Sequence, residues 1–345
     1  MRKILAIIIV FLFVCSSVSC KLVNPAGTDP GYDVIAINST ETAQQPTLAP
    51  DSEAPVFTPA PETTPAPTGP MIDNGRKNCF YGENTGTDKT FTGLEPLPLS
   101  DFNNPPMQNT ENLSTETIDH AFGIARDGKP HDISVYNQNF FDSNGLNAFC
   151  YDNKTTEKIL YLTFDCGYEN GYTAKILDTL LEKNVKAAFF CTLPELRSNT
   201  EIMARIVMEG HILGNHSCTH PDFSSLTRSE MYREVKGFDD YLRTNFGYSS
   251  LYFRYPMGKH SIDSTTFLNE MGFTCVFWSL AYSDWDLNNQ KGADYALQTV
   301  TERLHPGAVI LLHAVSPDNA NALGSIIDTA RSMGYEFRSL SDYEN

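Results

Sequence analysis

The stretch that decides the fold of this 345-residue chain is residues 159–168, Ile-Leu-Tyr-Leu-Thr-Phe-Asp-Cys-Gly-Tyr. Its first six residues are mostly apolar, aromatic or β-branched, which predicts a buried β-strand over 159–164. Asp165 follows this strand directly. A carboxylate in that position either caps the next turn or faces a pocket as a base, and the strand alone leaves both roles open.

Working outward, residues 158–345 alternate short apolar runs with helical stretches. The pattern predicts strands at 159–164, 185–191, 251–254, 274–279 and 308–313, with 211–214 extended. It predicts helices at 173–183, 200–208, 227–244, 264–271, 293–303 and 319–332. Such alternation indicates an α/β fold of parallel strands joined by crossover helices. A β/α barrel and an open doubly wound sheet remain alternatives at this point.

Polar residues suited to hydrolysis stand at the ends of these predicted strands. His216 and His220 follow one strand, and imidazoles at this spacing are common Zn²⁺ ligands. Arg254 and His313 end two others. Strand ends converge on one rim in β/α barrels, so we expect these side chains to meet. Each also has an ordinary alternative, as a satisfied buried histidine or a structural ion pair.

The first 20 residues have the pattern of a secretory signal. Residues 1–3 are Met-Arg-Lys, an uncharged apolar run covers 4–14, and small residues follow. That run is short for a membrane span. Residues 16–20 resemble a lipoprotein box ending at Cys20, although Ser17 stands where Leu is favoured. We expect an exported protein anchored by lipid at the outer face of the cytoplasmic membrane, or alternatively a secreted one.

Two further segments precede the main domain. Residues 21–78 carry eight prolines between Pro46 and Pro70, among Thr, Ala, Ser and Glu, which predicts a disordered linker. Residues 79–157 contain scattered aromatic residues without periodicity and are interpreted as an irregular lead-in. The net charge of −17 excludes nucleic acid as a bulk partner, because such binding needs a clustered basic face.

Five short motifs, in this order, resemble the polysaccharide deacetylases of the NodB-homology type, carbohydrate esterase family 4. They are Thr163-Phe164-Asp165-x-Gly167, His216-x-x-x-His220, Arg254-x-Pro256-x-Gly258, Asp284-Trp285 and Leu311-x-His313. Within the family, residues 158–340 are most similar to the delta-lactam-biosynthetic, or N-acetylmuramic acid, de-N-acetylases. The resemblance implies a distorted (β/α) barrel with about seven strands. It also implies metal-assisted hydrolytic de-N-acetylation of a cell-wall amino sugar, with peptidoglycan as partner.

The resemblance assigns the attacking side of the reaction to three motifs. Asp165 is implied as the general base for a metal-bound water, and Arg254 positions it. His216 and His220 are implied as ligands of a divalent metal, with Zn²⁺ the first choice. The backbone N–H of Met257 is implied as a donor to the developing oxyanion.

The resemblance assigns protonation of the leaving group and the acetyl pocket to the remaining two motifs. His313 is implied as the general acid that protonates the sugar amine, and Asp284 keeps it charged and oriented. Leu311 and Trp285 are implied as walls of the pocket for the acetyl methyl group. The same two residues can equally be ordinary core, and Arg254 with Asp284 can equally form a structural ion pair.

The sequence departs from the family at two positions. Cys166 stands where most members have a second, metal-binding aspartate, so either its thiolate completes a Cys-His-His site or two histidines and waters bind the metal weakly. Met257 stands where similar muramic acid deacetylases carry an arginine suited to the lactyl carboxylate. Lys259 or His260 could replace that charge, or be ordinary loop residues.

Two alternative functions follow from these departures. The substrate could be an N-acetylglucosamine glycan, of chitin or peptidoglycan, rather than N-acetylmuramic acid. The chain could also be a catalytically silent, glycan-binding lipoprotein. Retention of the base, both histidine ligands, the Arg254 and Asp284 partners and the acid His313 argues for an enzyme.

Overall fold

The computed structural model describes residues 34–35, 103–246 and 248–343. The predicted signal segment, nearly all of the predicted linker and the start of the lead-in lie outside these residues. Within them, no helix combines the length and apolar composition needed to cross a membrane.

The described elements alternate along the chain. The strands are β1 (Val34–Ile35), β2 (Ile118–Asp119), β3 (Phe122–Gly123), β4 (Ala148–Phe149), β5 (Ile159–Cys166), β6 (Ala188–Cys191), β7 (Ile212–Asn215), β8 (Tyr252–Phe253), β9 (Lys259–His260), β10 (Thr274–Val276), β11 (Ala308–His313) and β12 (Glu336–Arg338). The α-helices are α1 (Asp132–Ser143), α2 (Thr173–Glu182), α3 (Leu193–Ser198), α4 (Thr200–Met208), α5 (Arg228–Phe246), α6 (Ile262–Glu270), α7 (Ala293–Thr301) and α8 (Pro317–Ser332).

The main sheet is parallel and curls toward closure. Its strand order is β11-β5-β6-β7-β8-β10-β4, and β12 pairs with the beginning of β5. Beyond β10, a bridge from Leu280 to Ile310 brings the chain beside β11. Seven strands in this curved path with helices around them form a distorted (β/α) barrel. The predicted fold is therefore confirmed, and the open-sheet alternative is excluded.

Strand β5 is buried on both faces, which explains its almost continuous apolar sequence. Successive side chains point to opposite faces of a strand. Leu160, Leu162 and Phe164 join the core cluster that contains residues of α2, α4 and α8. Tyr161 joins a second cluster, inside the barrel, together with Leu311 of β11. Asp165 continues the Tyr161 face to the rim.

Most predicted elements are present, with shifted ends. Helix α4 and strand β11 have the predicted bounds. Strand β6 begins at Ala188 rather than at residue 185. The reason lies in the end of α2, where the Val185 amide donates to the Leu180 carbonyl and Asn184 has a φ of 49°. Val185 therefore closes a helix instead of opening a strand.

The lead-in contributes to the barrel itself. Strand β4 pairs in parallel with β10, through Ala148 with Cys275 and Phe149 with Val276. Strand β2 pairs antiparallel with β9. The interpretation of this segment as an irregular lead-in was thus incomplete, because its short strands pair with strands of the main domain.

Candidate active site

The chemical residues collect where the parallel strands end. Strands β5 and β11 are adjacent, and Asp165 and His313 are partners in their register. Asn215, at the end of β7, precedes His216 and pairs with Phe253 of β8, which precedes Arg254. This shared edge brings the predicted base, acid, ligands and arginine to one rim.

The arginine of this rim is entirely buried and holds the carboxylate of Asp165. Arg254 is 0% exposed, and its Nη1 lies 2.9 Å from Asp165 Oδ1. Its other N–H groups donate to the carbonyls of Val276, at 3.0 Å, and Phe277, at 3.3 Å. Burial alone would raise the pKa of Asp165, but the charge and hydrogen bond of Arg254, together with the charge of His313, outweigh it and lower that pKa. Asp165 is therefore held in its ionised form.

The two imidazoles of the second motif lie beside this carboxylate. His216 Nδ1 is 2.8 Å from the Arg254 carbonyl, and its Nε2 is 3.7 Å from Asp165 Oδ2. The rings of His216 and His220 have centroids 4.9 Å apart. Burial lowers the pKa of both, that of His220 to about 3, so both rings are neutral at pH 7. Neutral rings with a second nitrogen held by a carbonyl are the form in which histidine binds metals.

The loop that carries these imidazoles has an unusual backbone. Ser217 and His220 adopt positive φ angles of 72° and 58°, which non-glycine residues rarely do. Local bonds hold the turn: the Ser217 amide donates to Asn215 Oδ1, and the His220 amide donates to Ser217 Oγ. The sequence between the histidines therefore selects a turn rather than a helix.

A carboxylate from helix α5 completes this turn. Glu234 accepts hydrogen bonds from the backbone N–H groups of Cys218, at 3.0 Å, and Thr219, at 2.8 Å, and from the Thr219 hydroxyl at 2.8 Å. Sequence reasoning missed Glu234. It lies 14 positions beyond His220, half-buried on an ordinary amphipathic helix, and no local pattern marks it.

The acid side of the rim is a histidine–carboxylate pair. His313 Nδ1 lies 2.7 Å from Asp284 Oδ1, and the His313 backbone N–H donates to Asp284 Oδ2 at 2.7 Å. Burial alone would lower the pKa of His313, but Asp284 outweighs it and raises that pKa. The indole of Trp285 lies beside the imidazole, with centroids 5.5 Å apart. Arg254 pairs with Asp165, so the alternative ion pair with Asp284 is not formed.

Cys166 does not take part in this cluster. It lies on the opposite face of β5 from Asp165, in the core cluster of Leu162 and Phe164, and the side chain of Cys191 is its hydrogen-bonding neighbour. That contact and burial raise the pKa of its thiol well above the usual value. The expectation of a Cys-His-His site is thus corrected. Among the described residues, no three His, Cys, Asp or Glu side chains are grouped to hold a metal ion.

The residues predicted to contact the substrate lie in different surroundings: a turn, the barrel interior and an ion pair. Met257 has a φ of 57° in a short 3₁₀ turn, and Leu311 lies buried inside the barrel, two residues before His313. Lys259 pairs with Asp222 at 3.4 Å. His260 is almost fully buried, and burial lowers its pKa to about 4, so it carries no charge at pH 7. Of the two cation candidates, only Lys259 remains.

The sequence is similar to those of known proteins. Residues 152–276 match the family model of polysaccharide deacetylases. The peptidoglycan-N-acetylmuramic acid deacetylase PdaA of Bacillus subtilis is 38% identical over 233 residues, which cover 67% of this chain and 88% of that protein. The chain belongs to the polysaccharide deacetylase family, carbohydrate esterase family 4.

Solved structures of this family have the same barrel. The structure of B. subtilis PdaA, a family 4 carbohydrate esterase, superposes with a TM-score of 0.64 at 37% identity, over 67% of this chain and 98% of that one. A family 4 carbohydrate esterase from Bacillus anthracis gives a TM-score of 0.55 at 38% identity, over 67% and 97%. The peptidoglycan-N-acetylglucosamine deacetylase of Bacillus cereus is 31% identical in sequence, over 56% of this chain and 70% of that protein.

We predict that Glu234→Ala makes the loop between His216 and His220 more mobile. The amides of Cys218 and Thr219 lose their acceptor, so their hydrogen exchange should accelerate by at least about tenfold. The His216 amide, which donates to the Cys191 carbonyl at 3.0 Å, should stay protected. Hydrogen exchange read by mass spectrometry or NMR measures this.

Glu230→Ala is the matched control, because Glu230 lies one turn earlier on α5 and binds only Thr227 among the contacts described. Equal exchange at Cys218 and Thr219 in both variants would contradict the role given to Glu234.

Proposed function

We propose that this chain hydrolyses the N-acetyl group of a peptidoglycan amino sugar, with N-acetylmuramic acid as the preferred residue. The observation that carries the proposal is the meeting of Asp165, the imidazole pair and the His313–Asp284 pair at one rim. Family membership and the likeness to PdaA support the same reaction.

The reaction follows from the charge states of these groups. Asp165, held ionised beside Arg254, accepts a proton from the water that attacks the acetamide carbonyl. The Met257 N–H is the proposed donor to the oxyanion that develops as the new C–O bond forms. His313 then protonates the nitrogen, the C–N bond breaks, and acetate and the free sugar amine leave.

The two pKa shifts set the expected pH window. Asp165 must be ionised, and its lowered pKa keeps it so at all but low pH. His313 must be protonated, and its raised pKa extends that form to higher pH. Activity therefore falls as pH drops through the pKa of Asp165 and as pH rises through that of His313.

A divalent cation fits this site through His216 and His220. Both rings are neutral, and the carbonyl contact of His216 Nδ1 leaves its Nε2 directed toward Asp165. When bound, the cation supplies Lewis acidity to the acetamide carbonyl and to the attacking water. With only two imidazoles as protein ligands, we propose weak to moderate binding, and imidazole favours Zn²⁺.

Specificity for muramic acid requires a group that recognises its lactyl carboxylate. Met257 offers no charge, and His260 is neutral, so Lys259 is the proposed partner. Asp222 partly neutralises Lys259 and must yield for the lysine to bind a second carboxylate. Greater identity to the muramic acid enzyme than to the glucosamine enzyme supports this choice of substrate.

We also propose that the chain works outside the cytoplasmic membrane, where peptidoglycan is found. The support is the signal-like pattern of residues 1–20, and Cys20 is the proposed lipid attachment site. Fractionation of cells that express wild type or Cys20→Ala tests the anchor: release of the variant alone supports it, and equal retention contradicts it.

We predict acetate release from muramic acid glycans of peptidoglycan but not from chitooligosaccharides. Asp165→Asn and His313→Ala should each reduce it by at least about a hundredfold, because base and acid catalysis typically contribute on that scale. An enzymatic acetate assay measures both effects. Release from chitooligosaccharides alone would reject muramic acid as substrate, and no release from either would support the silent glycan-binding alternative.

We predict that chelation by EDTA abolishes acetate release and that added Zn²⁺ restores it. Cys166→Ser should behave as wild type throughout, because its thiol lies on the outer face of β5. His220→Ala, the contrasting variant, should need far more Zn²⁺. If EDTA leaves wild type fully active, the metal proposal is wrong. If Cys166→Ser alone loses the rescue of activity by Zn²⁺, the Cys166 thiol binds the metal after all, and its placement away from the imidazoles is wrong.

A further inference from the structure

Behind the His313–Asp284 pair lies a chain of buried hydrogen bonds that no motif includes. The Tyr282 hydroxyl donates to Asn319 Oδ1, and Asn319 Nδ2 donates to Asp284 Oδ2. The same Nδ2 also contacts the His313 carbonyl at 3.2 Å. Hydrogen bonds thus connect, one after another from the core to the rim, Tyr282, Asn319, Asp284 and His313.

Asn319 is fixed by the structure around it. It lies in the first turn of α8, where its backbone N–H donates to Oγ of the N-cap residue Ser316 at 3.2 Å. It is 0% exposed. A side-chain amide can turn over and exchange its oxygen for its nitrogen, but Asp284 Oδ2 and the His313 carbonyl can only accept, so they require the nitrogen on their side, and the oxygen accepts from the Tyr282 hydroxyl. The nitrogen therefore faces Asp284.

Asp284 needs this partner because it is almost completely buried. A carboxylate removed from water must be satisfied by donors, and Asp284 receives the His313 ring, the His313 backbone N–H and Asn319 Nδ2. The amide therefore fixes the plane in which the carboxylate presents Oδ1 to the imidazole. The orientation of that imidazole follows in turn.

We propose that Asn319, oriented by Tyr282, is a positioning residue that acts through Asp284 to hold His313 in place for proton donation. The inference rests on the proposed deacetylation and extends it to two residues outside the five motifs. Substitution at Asn319 leaves in place the other charged and titratable groups that face His313 from neighbouring elements. These groups are Asp165, Arg254, His216 and His220.

The test compares Asn319→Ala and Tyr282→Phe in the full chain. For Asn319→Ala we expect kcat to fall about 10- to 100-fold, the usual range for residues that orient a functional histidine, with KM within about twofold. Tyr282→Phe retains the amide but removes the hydrogen bond that holds its oxygen, so a smaller fall in kcat is expected. Acetate release from muramic acid glycans measures both.

A second readout does not depend on activity. The His313 Nδ1 proton shared with Asp284 should give a downfield proton NMR signal in wild type, assigned by its absence in His313→Ala. In Asn319→Ala this signal should broaden or disappear, because Asp284 Oδ2 keeps only the His313 backbone N–H as a donor, the carboxylate is held less firmly, and the ring proton exchanges faster with water.

Asn321→Ala is the matched control, because Asn321 lies on the same helix but is exposed and contacts Lys175. It should leave kcat and the NMR signal unchanged. Folded Asn319→Ala with wild-type kcat and an intact signal would overturn the proposal. If Asn319→Ala does not fold, Tyr282→Phe decides: an unchanged kcat and signal reject the proposal. If wild type releases no acetate, the proposed function fails, and the NMR signal alone decides the positioning role.

Discussion

The buried ion pair between Arg254 and Asp165 is the interaction on which the rest of the site depends. The guanidinium joins three parts of the barrel: its own position after β8, the end of β5 through Asp165, and the end of β10 through the carbonyls of Val276 and Phe277. Its charge also lies over the ring of Phe190, 4.2 Å from the centroid. Loss of one partner from a buried pair lowers the free energy of unfolding by about 3–5 kcal/mol, because the other charge is left buried without a partner.

The pair also sets the chemistry around it. The Arg254 carbonyl holds His216, so the residue that keeps Asp165 ionised also orients the neighbouring imidazole. The neutral imidazoles of His216 and His220 and the ionised carboxylate of Asp165 thus lie side by side, while Asp284 raises the pKa of His313 on the adjacent strand. Opposite proton states in neighbouring groups are what hydrolysis of an amide requires.

Local sequence patterns were sufficient to predict strands β5–β8, β10 and β11 and helices α2 and α4–α8. Strand β11 and helix α4 were predicted from apolar runs of the right length and period. The orientation of Cys166 was predictable too. If Asp165 faces inward, the next residue on the strand must face outward.

Other features depend on contacts between residues far apart in sequence, which no single-sequence pattern reveals. Glu234 and Asn319 were missed because their roles arise only when α5 and α8 are packed against the rim. Strand β4 was missed because two residues give no periodicity, and its partner β10 lies more than a hundred positions away. The resemblance to a known family supplied the catalytic roles, which composition and spacing left open.

The most direct test of the account is the pKa of Asp165, measured by carboxyl-carbon NMR in the metal-free protein. Arg254 should hold it below 3.8, the ordinary value for aspartate, although Asp165 is buried. A pKa above that value would mean that burial outweighs the ion pair, and would contradict the assignment of Asp165 as an ionised base held by a buried arginine.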